Sequence, residues 1–433
     1  MGKNNFSKIA VVGLGYVGLS VAVEFAKKGI EVAGIEINPA RVKAVNEGKS
    51  YLSDINNEVL IDLVRSGKLK AFQEPEALKN VDAIIVCVPT PLTNNKTPDT
   101  SYIISVSKQV VPFLHEGELV VLESTTYPGT TEEIVLPILS QSGLEPGEDF
   151  YLAFSPERVD PGNRVYRIEN VPKVVGGINK ESTDLAAMLY KIIVPKVFKV
   201  SSTKVAEMAK LLENIFRLVN VALINELAIL SEKMDIDLWE VIDAAKTKPY
   251  GFMPFYPGPG IGGHCIPVDP FYLLWKAKEY NFDISFIELA EQINDIMPGY
   301  VVQKVSYALN SKKKSINGSK ILVIGVAYKE NIDDTRESPA LKIIPQLMRL
   351  GSDVSYFDPY VSEININGKV LKSIPMLSKE ILNNADCSLI LTAHSSINYD
   401  FILQNSDIIV DTRNAIREND QKMFKLAGGR ERF

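Results

Sequence analysis

Near its start the chain carries a short apolar run, Ile9-Ala10-Val11-Val12, preceded by Ser7-Lys8 and followed directly by Gly13. Such β-branched runs predict a strand. Residues 13–18 then place three glycines at fixed spacing. Apolar positions next recur at helical spacing as far as Lys28, and Gly29 stops the pattern. A second strand is predicted over 31–35, closing on Glu36. Strand, glycine turn, helix and strand in this order define a βαβ unit with a parallel sheet. Further strands are predicted over 83–88 and 118–123, each ending in a Thr- and Pro-marked turn. Residues 203–233 read as one long helix. Its apolar positions include Val205, Met208, Leu212, Ile215, Leu218, Val219, Ala222 and Leu223, so it is expected to be largely buried. Lys210, Asn214 and Arg217, at i, i+4 and i+7, form a polar stripe that in a buried helix lines a cleft or a subunit interface. The basic stretch 311–315 reads as an exposed connection. A second α/β unit follows, with strands expected over 320–326, 353–357, 388–392 and 407–410.

Composition narrows the function classes. A chain of 433 residues forms two or three domains, and 46% apolar with 23% charged residues is ordinary for a globular protein. The net charge of -6 makes nucleic acid and anionic membranes poor partners. Three cysteines do not make a disulfide framework and suit a reducing cytoplasm. Lys3 and Lys8 before an apolar segment resemble a signal peptide, but the spaced glycines and Glu24 favour strand, turn and helix. No apolar stretch is expected to span a bilayer, and no metal site is expected.

The first βαβ unit carries the clearest chemistry. Gly13-Leu14-Gly15-Tyr16-Val17-Gly18 is a G-x-G-x-x-G between a strand and a helix. Its glycines let backbone N–H groups approach a pyrophosphate at the helix N-terminus. Glu36 stands where an acid binds the adenosine ribose and repels a 2′-phosphate, which favours NAD over NADP. Arg41 is a mild counter-signal. Thr90 and Thr126, past the ends of later strands, are candidates for the nicotinamide side.

A second signal is Gly262-Gly263-His264-Cys265 followed by Asp269. The cysteine is expected near a helix start, where the dipole favours a thiolate, with Asp269 one turn further on the same face. The second sheet lacks the glycine fingerprint; Gly325-Val326-Ala327-Tyr328 replaces it. Lys329, Arg336 and Arg413 follow predicted strand ends, where phosphates bind.

Together these motifs resemble the UDP-glucose/GDP-mannose dehydrogenase family over nearly the whole chain. The matching pieces are the glycine fingerprint, Glu123-Ser124-Thr125-Thr126-Tyr127-Pro128-Gly129-Thr130, Ser155-Pro156-Glu157-Arg158, Lys210-Leu211-Leu212-Glu213-Asn214, the cysteine motif, and residues 329–338. The resemblance implies an α/β protein with two Rossmann-like parallel-sheet domains joined by a central helical dimerisation domain. The boundaries expected are 1–200, 201–310 and 311–433. It implies oxidation of a sugar C6 alcohol to a carboxylate with two NAD⁺, in a homodimer with a UDP-sugar substrate.

By the same resemblance, Cys265 is the nucleophile, Lys210 and Asn214 stabilise oxyanion character, and Asp269 assists proton transfer. Glu157 and Thr126 match residues linked to hydrolytic water. Substrate contacts carried over are Arg158, Val159, Lys210, Asn214, Arg217, Tyr256, Gly262, Tyr328, Lys329 and Arg413. Cofactor contacts are Gly13, Gly15, Tyr16, Val17, Gly18, Glu36, Arg41, Thr90, Thr126 and Arg336. Some relatives carry an arginine in the loop before the cysteine motif, whereas residues 248–255 here contain none. Residues 155–162 and the aromatic loop look most like the UDP-N-acetylglucosamine 6-dehydrogenase branch. A nucleotide-sugar epimerase would instead need a Tyr-x-x-x-Lys couple, which Tyr272 and Lys276 spell, although their expected place is a packed helix. A non-catalytic sensor would have no need for the cysteine, and a simple hydroxyacid dehydrogenase would lack both the cysteine and the second sheet.

Overall fold

The computed structural model describes residues 6–52, 54–93, 95–158, 163, 165–418 and 420–429. Their contacts divide the chain into two units. One holds 1–213 with 271–282, and the other holds 214–270 with 283–433.

In the first unit β1 (Lys8–Val12), β2 (Glu31–Ile35), β3 (Leu69–Phe72), β4 (Ala83–Val86), β5 (Leu119–Leu122), β6 (Tyr151–Phe154), β7 (Lys173–Gly177) and β8 (Val197–Lys199) form one sheet. Its order, β3-β2-β1-β4-β5-β6-β7-β8, runs outward in both directions from β1. The first six strands are parallel, and β7 joins β6 antiparallel. Alternate side chains of β1 enter different cores: Ile9 and Val11 in one, Ala10 and Val12 in the other. Covering both faces explains why this strand is apolar at every position from Ile9 to Val12. The switch point between β1 and β4 is where open α/β sheets bind nucleotides.

The second unit contains a parallel sheet of β9 (Lys320–Ile324), β10 (Asp353–Phe357), β13 (Cys387–Ile390), β14 (Ile409–Asp411) and β15 (Met423–Lys425). The order is β10-β9-β13-β14-β15. A hairpin of β11 (Glu363–Ile366) and β12 (Lys369–Lys372) stands apart from it. β9 stops two residues before its predicted end because Gly325 turns the chain at φ 80°.

The long helix runs Thr203–Lys233, as its period predicts. Two expectations about it are corrected. Val205, Met208, Leu212, Phe216, Leu223, Leu227 and Leu230 form an exposed apolar stripe along it, continued by Met234 just past its end. Helical period places apolar residues on one face without saying what that face meets. The helix is also long and apolar enough, by length and composition, to cross a membrane. Its core positions and the outward stripe together raise its mean hydropathy, reaching 1.3 over 18 residues.

Candidate active-site residues

The glycine turn has the shape its spacing predicts. Gly13 takes φ 89°, and a Cβ there would lie 2.6 Å from the Cys87 carbonyl oxygen. A Cβ on Gly18 would lie 1.8 Å from the Gly13 oxygen, so only glycine lets helix and strand approach this closely. Gly15 faces open space, which leaves room for a ligand against the backbone. The helix Tyr16–Lys27 starts at once and has no side-chain cap at Gly15. Its first N–H groups are therefore donors available to an anion.

Glu36 is buried just past β2. Its Oε2 accepts from the Leu14 N–H at 3.1 Å, and Oε1 accepts from Asn38 N–H at 3.0 Å. Arg41 Nη1 lies 3.5 Å from Oε2, with the guanidinium 5.5 Å over the Tyr51 ring. The open backbone, the free helix start and the acid together fit a dinucleotide whose ribose hydroxyls meet a carboxylate. Glu36→Ala is expected to narrow the preference for NAD⁺ over NADP⁺ by about tenfold, through losing one repulsive charge and freeing Arg41. Ratios of kcat/KM for the two cofactors measure it, and an unchanged ratio rejects the role.

The other cofactor candidates sit in ordinary local structure. The Tyr16 hydroxyl donates to Asp54 Oδ2. Thr90 and Thr126 are buried. Thr130 Oγ1 donates to the Tyr127 carbonyl, so the Thr126 hydroxyl paired with it must be the donor. Tyr272 donates to the Thr90 carbonyl, and Lys276 joins Glu133 at 2.6 Å and Glu279 at 2.7 Å. That tyrosine and lysine are tied into packing, so nothing in their geometry supports an epimerase couple.

Glu157 belongs to a buried charge cluster that sequence reading missed. Lys173 Nζ, at the start of β7, lies 3.0 Å from Glu123 Oε1 and 3.4 Å from Glu157 Oε2. Tyr190 donates to Glu123, and Cys87 Sγ lies 3.9 Å from its other oxygen. Burial pushes the Glu123 carboxyl up, and Lys173 pulls it back. Burial also opposes the Lys173 charge, but Glu123 and Glu157 outweigh it and hold the ammonium above its usual range. A lysine heading an apolar run reads as a strand edge, so nothing local marked it. Arg158 is engaged too: Nη2 lies 2.7 Å from Glu213 Oε1, Nε 3.3 Å from Oε2, and Nη1 donates to the Pro172 carbonyl. Val159 lies outside the described residues. Lys210 is buried to 9% exposure, and no carboxylate pairs with it among the described residues.

In the second unit the cysteine turn departs from expectation. The helix begins at Asp269, four residues after Cys265. Cys265 instead heads the preceding turn, its carbonyl accepting from Val268 N–H at 3.2 Å and Asp269 N–H at 2.8 Å. Pro267 and Pro270 explain this. Proline disfavours helical geometry in the residue before it but suits a helix's first turn. The thiol is half-buried. Asp269 is buried and accepts from the Asn214 amide, so two of the sequence-named residues are joined. Cys387 is fully buried, and burial raises its thiol to about 12. Burial and then Glu123 raise Cys87 as well. Both are held as thiols, unsuited to attack.

The cysteine turn rests on the loop after β9. Gly263 N–H donates to the Arg336 carbonyl at 2.9 Å, and a Cβ on Gly262 would lie 2.7 Å from Tyr328 Cβ. Arg336 grips Asp334 through Nε and Nη2. Arg413 Nε donates to the Leu391 carbonyl at 2.8 Å, and burial lowers its pKa to about 10, leaving it charged at neutral pH. A Cβ on Gly258 would sit 2.6 Å from its Nη1. Lys329 is half-buried beside Tyr328, while Arg217 is exposed. Tyr256 stacks on Trp239 at 5.7 Å, and Tyr250 and Met253 stand open to solvent.

A dinucleotide fold with a thiol-bearing turn and a second nucleotide-type sheet defines an NAD-dependent oxidoreductase. Family models make the assignment particular. The NAD binding domain of the UDP-glucose/GDP-mannose dehydrogenase family matches residues 7–194, its central domain 204–296, and its UDP binding domain 322–418. The chain belongs to that family and is an NAD-dependent nucleotide-sugar 6-dehydrogenase. It is 40% identical to a UDP-N-acetyl-D-glucosamine 6-dehydrogenase of Pseudomonas aeruginosa, over 82% of this chain and 83% of that one. It is 36% identical to a UDP-N-acetyl-D-mannosamine dehydrogenase of Pyrococcus horikoshii, over 95% and 96%. A solved structure of the UDP-D-ManNAc dehydrogenase from that organism superposes with a TM-score of 0.89 at 36% identity, covering 98% and 99%.

Proposed function

We propose that the enzyme oxidises C6 of UDP-N-acetylglucosamine to the carboxylate, consuming two NAD⁺ and one water. The carrying observation is the half-buried Cys265 heading a turn beside the Asn214–Asp269 pair, whereas the Cys87 and Cys387 thiols are raised by burial. Bound NAD⁺ supplies the hydride acceptor, used twice. The first oxidation converts the alcohol to an aldehyde. The Cys265 thiolate then adds to the aldehyde carbon, and the thiohemiacetal loses a second hydride to become a thioester. Lys210 and Asn214 donate to the C6 oxygen as negative charge builds on it. Asp269 moves the proton, and Glu157 with Thr126 orients the water that cleaves the thioester and frees the thiol.

Residues 311–433 would hold the uridine diphosphate, with Lys329 and Arg413 near phosphate. Arg158, Arg217, Tyr256, Gly262 and Tyr328 would contact the remainder of the substrate, and Arg336 the cofactor. Domain limits at 200 and 310 belong to the same reading. So does a homodimer, supported by the exposed stripe on the long helix. A single-chain mass by light scattering would remove that part. Three cysteines and a nucleotide substrate support a cytoplasmic location.

The N-acetylglucosamine assignment rests on the branch resemblance of residues 155–162 and on the Pseudomonas relative. UDP-N-acetylmannosamine is the second reading, favoured by the whole-chain likeness to the Pyrococcus enzyme. An acetamido methyl contributes about 1 kcal/mol when buried, so several-fold cross-activity with UDP-glucose is expected. Purified protein, NAD⁺ and a panel of UDP-sugars test the whole reading. Two NADH per sugar with a uronate product support it. One NADH with a free aldehyde rejects the mechanism, and a higher kcat/KM for another sugar rejects the substrate.

A further inference from the structure

We infer that His394 is a positioning residue for substrate binding, acting as the latch that holds the loop segment carrying Tyr328 and Lys329. The inference rests on the reading of that loop as the nucleotide-sugar loop.

His394 follows β13 and is fully buried. The Asn331 N–H lies 2.9 Å from its Nδ1. A backbone N–H can only donate, so Nδ1 carries no proton and the ring is the neutral Nε2–H tautomer. That Nε2–H points at Asp358 Oδ2, 3.0 Å away. The ring therefore bridges a carboxylate at the end of β10 to the backbone of the loop after β9. Asn331 grips the same turn with its side chain, its Oδ1 accepting from Ser395 N–H and Ser395 Oγ at 3.0 Å each. Asn331 also takes φ 62°, a conformation asparagine tolerates better than most residues.

The anchor is rigid. Asp358 accepts at Oδ2 from Val326 N–H (2.7 Å) and Ala327 N–H (3.2 Å), and at Oδ1 from Tyr360 N–H (2.9 Å) and Val361 N–H (3.1 Å). Burial opposes its charge, but His394 and these amides together hold its carboxyl below the usual range. The Tyr360 ring packs on His394 with centroids 5.0 Å apart. Within the loop, Tyr328 N–H donates to the Asp334 carbonyl at 3.0 Å, and the Arg336 carbonyl receives Gly263. The clamp at Asn331 thus lies two residues after Lys329 in the same loop.

Removing the imidazole leaves the Asn331 N–H without its acceptor and the loop with more conformations to lose on binding. Glutamine can restore both contacts, its amide donating to Asp358 and its carbonyl oxygen accepting from Asn331.

The test titrates uridine 5′-diphosphate and NAD⁺ calorimetrically into full-length wild type, His394→Ala, His394→Gln and Asn331→Gly, with steady-state kinetics alongside. His394→Ala is expected to weaken uridine diphosphate and raise sugar KM about tenfold, the effect of one net hydrogen bond, with kcat and NAD⁺ affinity little changed. His394→Gln should recover most of the loss. Asn331→Gly keeps the backbone turn while deleting the side-chain clamp. It should give an intermediate loss, which also serves if the alanine variant does not fold. Undiminished uridine diphosphate affinity in the alanine and glycine variants overturns the latch. So does equal loss of both ligands without rescue by glutamine, which marks a merely structural residue. Failure of wild type to bind uridine diphosphate at all overturns the nucleotide-sugar reading itself.

Discussion

Cys265→Ala is expected to lower uronate formation by about three orders of magnitude or more, because the proposed route forms its thioester on that thiol. Binding should survive. The side chain is half-buried, and its loss creates little cavity, so stability should change by about 1 kcal/mol or less. The contrast with the other two cysteines sharpens the test: Cys387 is sealed in the second core and Cys87 lies beside a carboxylate. Product analysis together with calorimetric titration of NAD⁺ and UDP-sugar decides the matter. Uronate released at near wild-type rate would make Cys265 structural and sink the covalent route.

Lys173→Met should cost about 3–5 kcal/mol of folding stability at pH 8, since it strands two carboxylates that the ammonium now neutralises. The pH dependence has a definite sign. The Glu123 carboxyl is already raised by burial, and without Lys173 it rises further above its unfolded value of about 4.3. A folded acid that prefers its proton loses stability as pH climbs through that interval. The variant's deficit should therefore be smaller at pH 5 than at pH 8. Urea unfolding of wild type and variant at both values measures it. A deficit below about 1 kcal/mol at pH 8 would show that the cluster is solvated.

These two residues mark what the sequence discloses and what it hides. Cys265 and the glycine turn are legible because their chemistry is local. A strand pattern gives way to a helical one at Gly13–Gly18, and one cysteine stands among glycines and prolines. The helix start at Asp269 was legible too, had Pro267 and Pro270 been given their steric weight. Lys173 was not, because its meaning depends on Glu123, fifty residues earlier in the chain (173 less 123) and brought near by the pairing of β5, β6 and β7. The long helix shows the same boundary: its period was plain, but the outward turn of Leu212, Phe216, Leu223 and Leu227 was not. Asp358 carries a local signal, since it closes the second strand of its sheet as Glu36 closes β2.

That pair of carboxylates separates two sheets of similar plan. Each acid tethers the turn after the first strand of its sheet, Glu36 through Leu14 and Asp358 through Val326 and Ala327. A carboxylate offers about four lone-pair directions. Glu36 spends two on backbone amides and a third only loosely on Arg41, so it keeps capacity for a sugar hydroxyl. Asp358 serves four amides and an imidazole and is saturated. In the second sheet the acid at this place is an internal strut. Restoring glycines after β9 would not make it a dinucleotide site, because the group that should greet the ribose is already occupied by the protein itself.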